Sequence, residues 1–165
     1  MSSISIRVDG DASKLLARMK GLSNIDKKSL NEALAEGSRE STLERFKRSR
    51  DPSGKRWKTS IRAAQSGGKT LIDTAQLRNS IKSAADETGF AVGTNVIHAA
   101  THQLGDPKRT IRAKTARGLR FRINGHFVTK QQVEVSIPAR PFLGISDDDM
   151  EEIKATVEDF VGGKS

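Results

Sequence analysis

No cysteine and no tyrosine occur anywhere in the 165-residue chain, and the aromatic share is only 4%. Without cysteine there is no disulfide framework, no thiolate nucleophile and no cysteine-based zinc site, and the expected folding compartment is the cytosol. No apolar run is long enough to span a bilayer, and the opening stretch from Met1 to Val8 lacks the hydrophobic core of a signal peptide, so neither export nor membrane insertion is expected. With 35% hydrophobic against 30% charged residues, the chain has the makings of one domain, 1–165, with a modest core and much surface left for water or partners.

Positive charge is present in excess. The formal net charge is +9 and the isoelectric point about 10.1, a balance that attracts phosphate or acidic protein surfaces. Its distribution is uneven. Lys108, Arg109, Arg112, Lys114, Arg117, Arg120 and Arg122 cluster in one segment opposed by Asp106 alone, whereas Asp147, Asp148, Asp149, Glu151, Glu152, Glu158 and Asp159 dominate the C-terminal end. Two surfaces of opposite sign on one chain suit head-to-tail contacts between identical subunits, which close into rings.

Periodicity predicts an α+β fold. Alternating Ile4, Ile6 and Val8 predict a strand, and Leu15, Leu16 and Met19 a short helix ended by Gly21. A long helix is expected from Asp26 to about Arg48 with Leu30, Ala33, Leu34, Gly37, Leu43 and Phe46 on its inner face, and with Arg39, Glu40, Glu44, Arg45, Lys47 and Arg48 solvated. Asp51-Pro52-Ser53-Gly54 forms a turn that aims Trp57 into the core. Gln65 to Lys69 reads as a flexible loop, and Asp73 or Thr74 as the cap of a short helix carrying Leu77. A hairpin turns at Asp86 to Gly89, a short helix runs from about Asn95 to Leu104, and Asn124-Gly125 marks a second hairpin. A further strand covers Val133 to Ile137. Ser146 with Asp149 forms a capping-box-like start for the last helix, whose apolar face is Met150, Ile153, Val157 and Phe160. The expected architecture is thus a small, mostly antiparallel sheet with a long N-terminal and a C-terminal helix. The basic segment, sparse in apolar residues until Leu119, is expected to be a mobile loop.

Reactive constellations are scarce. His98 and His102 stand four apart and could face one metal ion from a helix, but no Glu follows His98 in the metalloprotease pattern and no third ligand lies nearby. Gly67-Gly68-Lys69-Thr70 echoes a phosphate-binding loop without its first glycine or preceding strand. No catalytic group and no cofactor are expected. The basic segment contains a single ring, Phe121, so electrostatic contact fits it better than base stacking.

In their order, several landmarks resemble the phage virion morphogenesis family of Mu-like tailed phages, whose members are described as tail-completion proteins. They are Phe46, the Asp51-Pro52-Ser53-Gly54 turn and Trp57; Leu71, Leu77, Ser80 and Ile81; Val92-Gly93-Thr94-Asn95 and Ala99; His102-Gln103-Leu104-Gly105; and Pro138-Ala139-Arg140-Pro141-Phe142-Leu143-Gly144. The resemblance covers roughly residues 43 to 160, and the sequence departs from the pattern at His98, where an aromatic such as Tyr is expected. The resemblance implies an α+β structural subunit of the virion acting at the neck or tail end, with host cytoplasm as the site of assembly.

The expected partners are further copies in a homo-oligomeric ring, other neck and tail proteins, and, as an additional role, packaged DNA in non-specific contact. Lys108, Arg109, Arg112, Lys114, Arg117 and Arg140 are the candidate interface or polyanion-binding residues. Trp57, Gly93, His102, Gln103, Gly105, Pro138, Pro141 and Phe142 are the candidate structural motif. Pro138 and Pro141 stiffen the backbone around Arg140, which is either presented as a contact or simply solvated. A basic nucleic-acid-binding module and a small metal enzyme using His98 and His102 are the rival readings.

Overall fold

The computed structural model describes residues 25–123 and 125–162. The strand and helix expected before Gly21 lie outside the described residues. Helix α1 runs over Lys27–Arg48, capped by Asp26, whose carboxylate accepts from Ser29 N at 3.1 Å, and ended by Ser49 in the left-handed region. Its buried stripe is Leu34, Ala35, Thr42, Arg45 and Phe46. Ala33 points outward, and Arg45, read in the sequence as part of a solvated face, is 7% exposed.

Two short helices follow. Helix α2, Ile61–Ser66, starts where Ser60 Oγ accepts from Ala63 N at 3.2 Å, so Gln65 and Ser66 are helical rather than loop, and Gly67 ends the turn. Helix α3, Gln76–Asn79, is preceded by Ala75 with no side-chain cap; Thr74 Oγ1 reaches only Gln76 N, at 3.4 Å. The expected hairpin forms next, β1 (Lys82–Ala85) against β2 (Phe90–Gly93), and Asp86 Oδ1 holds its turn by accepting from Thr88 N and Gly89 N. Helix α4 covers Ala99–Leu104, shorter than the sequence suggests.

Four strands then build an arm. Strand β3 (Asp106–Arg112) pairs antiparallel with β6 (Gln132–Ile137), and β4 (Leu119–Ile123) pairs with β5 (His126–Lys130) inside that loop. The antiparallel pairing is as expected, though it is divided among three two-stranded sheets. The basic segment is therefore strand, not loop, over Lys108, Arg109 and Arg112. Two ion pairs, exposed Lys108 to Glu134 at 2.6 Å and Arg109 to the mostly covered Asp106 at 2.9 Å, offset the mutual repulsion of these cations, and Ile111 sits opposite Val133. Lys114 and Arg117 lie in the connection between β3 and β4.

Helix α5, Asp147–Gly162, packs on α1, which also covers β1 and β2. The core gathers Phe46, Trp57, Leu77, Ile81, Ala99 and Phe142, with Leu43, Leu71, Ile72, Val92, Val96 and Leu143 around it. Phe46 meets Trp57 edge-on at 5.5 Å and Phe142 at 5.2 Å between centroids, contacts worth about 0.5–1.5 kcal/mol each beyond burial.

Candidate assembly surface and its frame

The two most distinctive sequence motifs form one structural unit. The His102 carbonyl accepts from Arg140 N at 2.7 Å. Gln103 then grips the following residues with both ends of its amide: Oε1 accepts from Phe142 N and Leu143 N at 3.0 Å, and Nε2 donates to Leu143 O at 2.9 Å. A segment carrying Pro138 and Pro141 cannot build a regular ladder, so a side-chain amide supplies the bonds its backbone needs. Gly105, at φ +80°, lets the strands approach; a Cβ there would stand 2.9 Å from Ala139 N.

Trp57 and Arg45 fasten this unit to the rest of the fold. The indole Nε1 donates to Pro141 O at 2.8 Å, which fixes the ring that meets Phe46 edge-on. Arg45 Nη1 donates to Phe142 O and to Gly144 O, at 3.1 and 2.7 Å, while Nη2 pairs with the Asp149 carboxylate. Asp149 also completes the capping box, accepting from Ser146 N at 2.7 Å while Ser146 Oγ accepts from Asp149 N at 3.1 Å. Burial pushes the Asp149 carboxyl up, but the bonds from Ser146 and Ser41 and the Arg45 charge outweigh it and hold it below its usual range.

Several candidate residues face inward. Arg140 is 6% exposed, with Nε donating to Lys58 O at 2.7 Å. Gly93 ends β2 beside open space. His98 and His102 stack edge-on at 5.7 Å, and burial, then His98 and Arg140, hold the His102 imidazole below its ordinary pKa. No described group of three or more His, Asp or Glu residues could hold a metal ion.

The arm faces outward. Arg112, Lys114 and Arg117 are exposed and form no ion pair among the described residues. One feature of the arm escaped sequence reasoning. Phe127 is 65% exposed, with the Arg120 guanidinium 4.3 Å and that of Arg122 5.8 Å from its ring centroid. The β4–β5 register sets Arg122 opposite Phe127, so counting outward from the hairpin expected in the sequence would have found the pair.

Motif side chains are thus bonded to their own chain, while a basic arm and an acidic helix start turn outward. The chain belongs to the phage virion morphogenesis family, whose model matches residues 7–162. It is also similar to Mu-like prophage FluMu G protein 2 of Haemophilus influenzae, with 33% identity over 93 residues, 56% of this chain and 52% of that protein. The chain thus spans about half the length of this curated relative. No solved structure matches. Membership places the chain among the proteins that build a phage virion, and no described helix is long and apolar enough to cross a membrane.

Proposed function

We propose that the chain is a non-enzymatic subunit of the neck or tail end that completes the tail and joins it to the DNA-filled head. It works as a homo-oligomeric ring in contact with other neck and tail proteins, and requires no cofactor. The observation that carries this reading is the arm: Arg112, Lys114 and Arg117 have no ionic partner among the described residues, while the frame beneath them is held by internal bonds. Such charges gain charge-assisted bonds only when a neighbour supplies anions. The exposed acidic residues of α5 are one such supply. The Phe127 ring between two guanidiniums supports a second role, non-specific contact with packaged DNA.

Lysates of a phage carrying a disrupted copy of this chain should accumulate filled heads and separate tails, and the purified protein should restore joining in the extract. Electron microscopy and plaque titre read both. Normal particles without the protein would refute the role. For the DNA contact, binding of duplex DNA by the purified protein should weaken steeply with salt, with about one fewer counterion released for each arm cation replaced.

A further inference from the structure

Among the described residues, the buried Arg140 charge has no carboxylate partner. The Arg140 guanidinium donates only through Nε, to Lys58 O, and no carboxylate among the described residues pairs with it. Burial pushes its pKa down with nothing to offset the loss of water. Arg140 lines a cleft of about 320 Å³ together with Ser60, Arg62, Thr74, His98 and His102. The Arg62 charge there is met by Asp73 at 3.6 Å, which leaves Arg140 as the unmatched one. His102, which also lines the cleft, has its Nδ1 buried without a hydrogen-bond partner. Beside the cleft residues, Ile61 and Ile97 are 78% and 97% exposed, apolar surface that a free small anion would leave wet.

The complement lies on the same chain. Asp147 and Asp148 are exposed in the first turn of α5 and form no ion pair among the described residues. Ile145 and Met150 flank them, 57% and 41% exposed. We propose that the Arg140 cleft receives an Asp147 or Asp148 carboxylate from a second copy of this chain, with Ile145 and Met150 of that copy covering Ile61 and Ile97. The carboxylate accepts from the terminal nitrogens of the Arg140 fork, which donate to no described group. Because the two faces differ, the contact is head-to-tail and propagates until a ring closes. The inference rests on the reading of the chain as a ring-forming subunit.

Blocking one face at a time tests it. Ile97→Asp, at an exposed position, sets a like charge before the incoming carboxylate without touching the core, and Asp147→Asn with Asp148→Asn removes the acidic face. By sedimentation, the wild type should form rings, and each blocked protein alone should self-associate on the order of tenfold more weakly. An equimolar mixture of the two should form dimers and nothing larger, since each retains one good face. Arg140→Gln, its fold checked by its melt, should behave as Ile97→Asp does. Rings formed by the blocked variants as readily as by the wild type, or a mixture that stays monomeric while the wild type forms rings, would overturn the cleft contact alone. A wild type monomeric at every concentration would overturn ring formation and the contact with it.

Discussion

Arg45→Met should lower the stability of the subunit by about 3–5 kcal/mol, because it leaves the Asp149 carboxylate buried beside an apolar side chain. Both members of the pair are below a tenth exposed, so solvent screening relieves little of that cost. The substitution also strips the Phe142 and Gly144 carbonyls of their donors. In a chain of this size such a loss corresponds to a fall of roughly 6–20 °C in melting temperature. Replacing both partners, Arg45→Met with Asp149→Leu, should cost clearly less than the sum of the single changes, since no buried charge is then left alone. The pH dependence has a definite sign. The folded Asp149 pKa lies below its unfolded value, so the stability it contributes is complete above about pH 4 and is lost as pH falls through the folded value. The penalty of Arg45→Met should therefore shrink in acid. Thermal unfolding at neutral and acidic pH reads all of this, and a neutral-pH loss under about 1 kcal/mol would show that the pair contributes no more than an exposed one.

Trp57→Ala should cost a comparable amount, about 3–5 kcal/mol, by opening a cavity against the fully buried Phe46 ring. Trp57→Phe separates packing from hydrogen bonding. It keeps a ring on Phe46 while leaving Pro141 O without the indole N–H, and should cost the smaller part, about 1–3 kcal/mol. As the chain has one tryptophan, its fluorescence reports this site alone. Emission typical of a water-exposed indole, with a normal melt for the Ala variant, would contradict the anchoring role.

Local signals in the sequence were sufficient where the structure is local. Asp26 caps the long helix three residues before Ser29, Ser146 and Asp149 close their box over the same spacing, and Asp86 to Gly89 turns a hairpin. Trp57 needed only its turn. What escaped depends on partners far along the chain. Arg45 resembles its solvated neighbours Glu44 and Arg48 until folding brings Asp149, 104 residues away, against it. Gln103 reads as one polar residue in a short helix, yet its amide holds a segment some 40 residues on. Likewise β3 lacks apolar alternation because its order comes from pairing with β6 and from Glu134, not from a buried face of its own. Arg140 was legible as a stiffly held residue but not as a buried one, since burial of a charge is set by what surrounds it.

The division between a self-contained frame and an outward arm is tested most directly by removing the arm's charge alone. Lys108, Arg109, Arg112, Lys114 and Arg117 are each replaced by Gln, and head-to-tail joining is measured in extracts beside the melting curve of the purified protein. The Lys108 pair is exposed and the Arg109 pair reaches a mostly covered Asp106, so together they are worth about 1–2 kcal/mol and the melt should shift by only about 2–8 °C. Joining should fall to the level of an extract with no added protein. Joined, infectious particles at wild-type yield from the folded, substituted protein would contradict the arm's role in assembly.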